Sequence, residues 1–179
     1  FDINDLKLEI RKFQLPPIKI ALTGAGRVAK GAMETLDTAG IRKVSPSEFL
    51  GKNFDEPVYV QLGSADYHVR TEGGHFNRDE FHREPWRYRS TFAEFTKVTD
   101  LLLAGAFWNP AAPVLFTEAD MRAAGFRIRV IADITCDING SVPSTKQATS
   151  IDDPLYDYDP QTGKLHPPMS HPSYVTVMA

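Results

Sequence analysis

The pattern of apolar and polar positions divides most of the chain into alternating strands and helices. Apolar runs with the length of strands occur at residues 18–23, 41–44, 58–62, 101–106, 128–133 and 174–179. Helical patterns occur at residues 26–39 and 117–125, and shorter helices are predicted near 77–83 and 91–97. Because strands that alternate with helices are typical of parallel sheets, we predict an α/β fold. The expected architecture is a doubly wound, mainly parallel sheet with helices on both faces.

The same pattern predicts three parts of the chain. Residues 1–17 indicate a short amphipathic helix, or a linker from another domain, that ends at two prolines. Residues 18–154 contain the alternation and form the predicted principal domain. Within it, residues 63–98 fit the pattern poorly and are rich in aromatic side chains, so we predict an insertion with its own aromatic cluster. Residues 155–179 contain several prolines and are expected to form an extended tail and an exit strand.

A glycine-rich turn joins the first strand to the first long helix. Gly24 is expected to take the tight turn, and Gly26 leaves its backbone open to a pyrophosphate. Ala29 stands where a third glycine is usual, and this position needs only close packing of helix on strand. The free N–H groups and positive dipole at a helix start attract phosphate. We therefore predict a Rossmann-like dinucleotide-binding domain for NAD or NADP, with Arg27 and Val28 as further cofactor contacts.

The residue that discriminates between the two cofactors is expected about 20 residues beyond the glycines, at the end of the second strand. An acid at that position would bind the adenosine ribose of NAD, but the chain has Ser45 there. Ser45 and Ser47, with a nearby base, suit the extra phosphate of NADP. Glu48 is near enough in sequence to reach a ribose, and a plain surface turn is a further alternative. The choice between NAD and NADP therefore stays open.

Two further loops are expected at the same edge of the sheet, because the carboxyl ends of parallel strands lie together. Asp133 closes a buried strand, and Thr135 and Asp137 follow it. Asp133 and Thr135 are predicted cofactor contacts, although loop capping would also explain acids in this position. Ala106 and Phe107 follow another buried strand and are predicted to line a nicotinamide pocket, unless the aromatic ring belongs to the core.

The composition of the chain excludes some classes of binding partner and some cellular locations. The 179 residues have a net charge of −3, which gives no electrostatic reason to expect nucleic acid or an anionic membrane. No apolar run approaches the ~18 residues of a membrane span. The single cysteine, Cys136, excludes an intramolecular disulfide and favours a reducing, cytoplasmic location. His75, Asp79 and His82 have only a loose metal-like spacing, so we predict no metal site.

Three segments together resemble one protein family. They are GAGRVAKGA at 24–32, AFWNPAAPVLF at 106–116, and the long stretch from VIADITCDINGS to YDP at 130–160. The chain resembles the nucleotide-binding domain of the alanine dehydrogenase, saccharopine dehydrogenase (lysine-forming) and lysine–ketoglutarate reductase group. The resemblance implies a two-domain NAD(P)-dependent oxidoreductase that transfers hydride between the nicotinamide and the α-carbon of an amino or imino acid. Asp133 and Asp137 then lie beside the nicotinamide.

The resemblance also implies what surrounds this domain. Proton-transfer residues and the substrate pocket lie mainly on a second, catalytic domain of the same full-length chain. The first residue is not methionine and the last segment is an apolar strand, so we expect a part of a longer protein that is inactive alone. Asp137 is the predicted catalytic contribution of this domain, with a small amino-acid or keto-acid substrate and a possible homo-oligomer. The alternative is a non-catalytic module that senses or regulates through NAD(P).

Overall fold

The computed structural model describes residues 2–179, with every side chain in that range except that of residue 3. Its helices are α1 (Ile3–Ile10), α2 (Arg27–Thr38), α3 (Pro46–Gly51), α4 (Ser64–Tyr67), α5 (Arg78–Arg83), α6 (Ala93–Thr96) and α7 (Glu118–Arg122), with a 3₁₀ turn at Pro85–Arg87. Its strands are β1 (Lys19–Thr23), β2 (Arg42–Lys43), β3 (Val58–Leu62), β4 (His68–Arg70), β5 (Tyr88–Ser90), β6 (Leu101–Ala104), β7 (Val130–Asp133), β8 (Tyr156–Tyr158), β9 (Leu165–His166) and β10 (Val175–Met178).

Eight strands form the main sheet, in the order β2-β3-β1-β6-β7-β10-β8-β9. The first six of these strands run parallel to one another, and β8 and β9 are added antiparallel at one end. The predicted fold class, a Rossmann-like and mainly parallel α/β sheet with helices on both faces, is therefore confirmed.

The strand order places β3, rather than β2, beside β1. Thr23 pairs with Leu62 at the carboxyl end of this contact, and β2 lies outside β3 at the edge of the sheet. The amino-acid compositions of the two strands explain this order. Arg42 and Lys43 are both exposed, whereas β3 is apolar and almost wholly buried. Charged side chains suit an edge strand, and a strand between two neighbours must be apolar on both faces.

Helices cover the two faces of the sheet through separate apolar cores. On one face, Met33 and Leu36 of α2 pack with Ile20 and Tyr59. The opposite face carries the larger core, to which α3, α6 and α7 contribute the side chains of Phe49, Phe95 and Met121. The N-terminal helix α1 packs outside α2, where Lys7 Nζ lies 2.6 Å from Glu34 Oε1.

The segment between β3 and β6 has an aromatic cluster of its own. Within it β4 and β5 pair as an antiparallel ribbon. The ring centroids of Phe76, Phe81 and Tyr88 lie 5.2–5.4 Å from one another. Tyr67 packs edge-on against Phe92 at 5.5 Å, and both rings belong to the larger core. The aromatic packing therefore holds this segment against the main sheet.

The C-terminal segment, expected to be an extended tail and an exit strand, contributes three strands to the main sheet. β10 lies parallel to β7 and antiparallel to β8, so it is an interior strand. Asp157 of β8 is buried, and its Oδ2 accepts from Ser170 N at 2.8 Å. Its Oδ1 accepts from Thr176 Oγ1 of β10 at 2.7 Å. Buried carboxylates need such partners, and these are supplied by residues far along the chain.

Candidate functional site

The turn after β1 is pressed against the loop after β6. Gly24 has a φ of +108°, and a Cβ at this position would lie 2.8 Å from the carbonyl oxygen of Gly105. Its N–H donates to Leu62 O at the end of β3 over 2.9 Å. Gly105 N donates in turn to Thr23 O over 3.2 Å. Glycine is therefore required at position 24, both for the backbone conformation and for the close approach of the two backbones.

The start of α2 is open. Apart from Gly26 itself and its two chain neighbours, no atom of residues 2–179 lies within 4 Å of the position that a Cβ on Gly26 would take. Helices α1, α3, α5 and α7 each begin with a side chain that accepts a backbone N–H, whereas the N-cap of α2 is Gly26 and its first turn has no acid. Arg27 is exposed at this helix start. The residues present therefore fit a phosphate group, which would meet free N–H donors and a positive side chain.

The loop after β7 is organised by a buried carboxylate. Asp133 is 1% exposed, and its Oδ1 accepts from the hydroxyl of Thr135 at 2.6 Å. Its Oδ2 accepts from the hydroxyl of Thr145 at 2.6 Å. These bonds use both oxygens of Asp133 inside the protein, so the structure gives it the role of holding residues 133–145 together. Asp137, in contrast, is exposed, and its carboxylate accepts no hydrogen bond from the residues described, although its backbone carbonyl accepts from Gly140 N at 2.8 Å.

The tip of this loop has an unusual backbone. Cys136 and Asn139 have φ values of 54° and 57°, in the left-handed region that most side chains avoid. A Cβ on Gly140 would lie 2.5 Å from Cβ of Asp137, so the turn closes tightly on itself. Burial, with Asp133 and Asp137 nearby, raises the pKa of the Cys136 thiol. The sulfur is therefore protonated at neutral pH.

A pocket of about 190 Å³ lies between the loop after β6 and the segment after β3. Ala106 and Phe107 line one side, and Phe107 is 91% exposed. His68 lines the other side, where Phe81 packs on its ring at 4.5 Å. His68 Nδ1 lies 3.1 Å from Ser64 O, and Nε2 is buried without a partner among the residues described. The pocket thus combines aromatic surface with one buried hydrogen-bond acceptor.

The protonation state of His68 follows from its surroundings. The side chain is 6% exposed, and burial lowers its pKa to about 4. The ring is therefore neutral at physiological pH. Because Ser64 O can only accept, the ring proton lies on Nδ1, and the lone pair of the buried Nε2 has no donor among the residues described.

The structure brings most of the predicted residues to one edge, but not all. The turn of Gly24, the start of α2 and the loops after β6 and β7 adjoin, and Ile134 N donates to Ala104 O at 3.0 Å. Ser45 lies apart from them at the end of β2. Its hydroxyl caps α3 by accepting from Glu48 N at 3.3 Å.

Sequence reasoning missed the residues that occupy the place next to β1. Because β3 is the neighbour of β1, Gly63–Tyr67 follow the strand next to β1, whereas Ser45 follows the edge strand β2. His68 of the pocket was missed for the same reason. The sequence did contain one indication that β2 lies at the edge of the sheet. Its two residues, Arg42 and Lys43, are too polar for an interior strand.

The described residues contain neither a metal-binding cluster nor a membrane-spanning helix. In the part of the chain that the structure describes, no three His, Cys, Asp or Glu side chains lie together as a metal site would require. No helix within residues 2–179 is long and apolar enough to cross a membrane.

Comparison with known proteins shows which enzymes this chain is similar to in sequence. The chain is similar to alpha-aminoadipic semialdehyde synthase. It is 27% identical over 184 aligned positions to the mitochondrial enzymes of Rattus norvegicus and Bos taurus, an alignment that covers 90% of this chain and 20% of each relative. The enzyme of Arabidopsis thaliana is 25% identical over 173 positions, which cover 86% of this chain and 16% of that protein. No protein-family profile matches the chain.

This similarity confirms the resemblance that the sequence predicts. The chain spans about a fifth of the length of the animal relatives. The shared part is therefore a small portion of a much longer enzyme.

Proposed function

We propose that the chain is the dinucleotide-binding domain of an NAD(P)-dependent oxidoreductase that acts on an amino or imino acid. The observation that carries the proposal is the open start of α2 directly after the Gly24 turn, at the carboxyl edge of a parallel sheet. This is where doubly wound folds bind the pyrophosphate of a dinucleotide. The similarity to alpha-aminoadipic semialdehyde synthase supports an amino-acid substrate.

Each element of the edge has a role in this proposal. The N–H groups of Arg27 and its neighbours in the first turn of α2 donate to the phosphates, and the Arg27 guanidinium adds a positive charge. The bound cofactor supplies hydride chemistry at the nicotinamide. Phe107, exposed at the rim of the pocket, offers an aromatic surface to a planar ring. The Asp133 network keeps the neighbouring loop rigid.

Asp137 is the proposed catalytic contribution of this domain. Its carboxylate is exposed, and it stands on a tightly closed turn at the same edge. A free carboxylate there would stabilise the positive charge of a substrate ammonium or imine. In the full-length enzyme, Asp137→Asn is expected to lower kcat by about tenfold or more while cofactor affinity is retained. A kcat equal to that of the unaltered enzyme would remove this role.

The rest of the reaction belongs to a second domain in the full-length chain, which we propose supplies the proton-transfer groups and selects the substrate. Nucleic acid and membrane remain unexpected partners, and a homo-oligomer is compatible with the proposal. A cytoplasmic location stays a prediction, since the rat and bovine relatives are named as mitochondrial.

Thermal unfolding in the presence of cofactor tests the proposal directly. A ligand that binds only the folded state raises stability by RT ln(1 + [L]/Kd), which is about 2.7 kcal/mol at 100 times Kd. We expect a rise in Tm with NAD(H), NADP(H) or both at millimolar concentration. No rise with any of the four forms would contradict the proposal. A rise without turnover in the full-length protein would favour the alternative, a non-catalytic NAD(P)-sensing module.

A pair of glycine variants locates the site. Gly26→Val fills the space over the start of α2 and should abolish the rise in Tm, because the side chain occupies the position of a phosphate. Gly51→Val is the matched control, since a Cβ there also meets no atom within 4 Å among residues 2–179 and the position lies at the end of α3. If Gly26→Val kept the full response to cofactor, the site would lie elsewhere.

A further inference from the structure

The turn that carries Asp137 is not held in place by the burial of its side chains. Residues 136–139 are all exposed, and burial begins again only at Gly140. Gly140 N donates to Asp137 O at 2.8 Å, a bond that closes the turn on itself without joining it to another segment. Contacts with other segments must therefore determine where the carboxylate of Asp137 stands at the edge of the sheet.

Asn139 attaches the tip of this turn to the segment that follows. Its backbone N donates to Thr145 O at 3.0 Å, and its side-chain Oδ1 lies 3.4 Å from Nζ of Lys146. Its φ of 57° lies in the left-handed region, which asparagine adopts more readily than most residues. Thr145 also donates to Asp133 at the base of the loop. Residues 145 and 146 therefore bind both the base and the tip of the loop.

Lys146 is itself anchored to α7 and to β8. Its Nζ lies 3.0 Å from Oε1 of Glu118, in the first turn of α7. The ammonium lies 5.8 Å from the ring centroid of the fully buried Tyr158, and the backbone N donates to Tyr156 Oη at 3.1 Å. The hydrogen bond from Lys146 and its positive charge lower the pKa of Glu118, which is therefore ionised at neutral pH. Lys146 thus holds Asn139 from a fixed position.

Glu118 is supported from its other side. Its Oε2 lies 3.8 Å from Nη1 of Arg122, and this guanidinium donates to Pro160 O at 3.3 Å, just after β8. Met121, in the same helix, is buried in the larger core. The helix that carries Glu118 is therefore fixed in the fold, and the carboxylate that binds Lys146 is fixed with it.

We propose that Lys146 is a positioning residue for the reaction, and that through Asn139 it holds the turn that places the carboxylate of Asp137 against the substrate. The inference rests on the proposed function. A direct contact between Lys146 and the substrate is the competing interpretation. However, two of the three N–H donors of the ammonium face Glu118 and Asn139, and the side chain is only 27% exposed. These contacts favour a role that acts through the turn.

Alkylation of Cys136 by iodoacetamide tests whether Lys146 holds the turn. Cys136 is the single cysteine of the chain, and it lies on this turn with its side chain exposed. Lys146→Met keeps the length of the side chain but removes the ammonium. In the 179-residue chain at a fixed pH, this variant should react roughly 3- to 10-fold faster, as expected when one hydrogen bond that keeps the turn closed is lost. Lys146→Arg should keep the slow rate.

Lys52→Met is the matched control for the loss of an ion-paired lysine. Lys52 Nζ lies 3.0 Å from Oε1 of Glu48, the same distance as in the pair of Lys146, but at the end of α3. Its alkylation rate should equal that of the unaltered chain. If Lys146→Met reacted no faster than Lys52→Met, Lys146 would not hold the turn and the inference would be overturned.

Kinetics of the full-length enzyme test the effect on the reaction. Lys146→Met should lower kcat by roughly 3- to 10-fold with KM unchanged, because even about 1 Å of misplacement of a reacting group slows the chemical step. Lys146→Arg should restore most of kcat. In an Asp137→Asn background, Lys146→Met should cause no further loss, since the two residues act as a unit. A raised KM with unchanged kcat, or a full further loss in the double variant, would overturn the inference.

The outcomes also distinguish this inference from the proposed function. Alkylation of Cys136 needs no cofactor, so it reports on the turn alone. Faster alkylation of Lys146→Met with an unchanged kcat would overturn the positioning role and leave the dinucleotide site in place. Absence of cofactor binding by the unaltered chain would overturn the proposed function, and this inference with it.

Discussion

The contact between Gly24 and Gly105 gives the sharpest test of how the site is built. Gly24→Ala introduces a Cβ at a residue whose φ is +108° and whose nearest neighbour would be a backbone oxygen 2.8 Å away. A backbone oxygen cannot rotate aside as the end of a side chain can. The substitution therefore forces either the β1–α2 turn or the loop after β6 to move.

Two contributions set the magnitude. A non-glycine residue held in a sparsely populated backbone conformation costs about 1–3 kcal/mol. Forcing extra volume into a packed contact costs about 1–3 kcal/mol more. Gly24→Ala should thus lower the free energy of unfolding by about 2–6 kcal/mol. For a chain of this size, each kcal/mol corresponds to roughly 2–4 °C in Tm.

Two control variants separate the contributions. Gly40 has a φ of +73° but no atom of residues 2–179 within 4 Å of its Cβ position, so Gly40→Ala measures the cost of conformation alone. Gly105→Ala places a Cβ 3.1 Å from Thr23 O without a positive φ, and so measures the contact. Urea unfolding of the three variants gives the free energies. The interpretation of the Gly24–Gly105 contact would be refuted if Gly24→Ala cost no more than Gly40→Ala.

Two further predictions concern buried polar groups. Thr145→Val removes the donor to Asp133 Oδ2 and should cost about 1–3 kcal/mol in urea unfolding, because a buried carboxylate oxygen loses its partner. The control is Thr35→Val on the exposed face of α2, which should change stability by no more than about 0.5 kcal/mol. Equal losses in the two variants would contradict the assigned role of Asp133. The neutral His68 predicts a pH dependence: in the unfolded chain its pKa is near 6.5, and in the folded chain burial lowers it to about 4. Stability therefore falls as pH drops through this window, by roughly 3 kcal/mol in full, and His68→Phe should abolish that part of the slope in pH-dependent urea unfolding. An unchanged slope in this variant would refute the assignment.

The sequence was sufficient for the elements that have strong apolar patterns. β1, α2, β6 and β7 were predicted because their apolar residues have the spacing of buried strands and of a helix with one buried face. The Gly24 turn was predicted because its glycines stand between a strand and a helix. These features depend on residues close in sequence, so a local pattern can reveal them.

The features that were missed depend on residues far apart. β8 has the sequence Tyr-Asp-Tyr, and its central Asp157 is buried only because Thr176 and Ser170 supply donors from a distant segment. The hydrogen bond between Asp133 and Thr145 was not predicted, because the two residues are twelve positions apart. Ser45 was predicted to select the cofactor because the second strand of the chain was expected beside β1, whereas β3 lies between β2 and β1. The charges of Arg42 and Lys43 were the local sign that β2 belongs at an edge.

The placement of β10 also constrains the order in which the sheet can assemble. β10 is the last strand within residues 2–179, yet it lies between β7 and β8. The hairpin of β8 and β9 therefore has no sheet partner until β10 has been synthesised and inserted. During translation, at about 5–20 residues per second, β1, β3, β6 and β7 can pair several seconds before this closing step. Nascent chains arrested before residue 174 should accordingly show slow hydrogen exchange in β1 and β6 but fast exchange in β8. Slow exchange in β8 of such chains would contradict this order, in which β10 inserts after β8 and β9 have been made and joins them to the rest of the sheet.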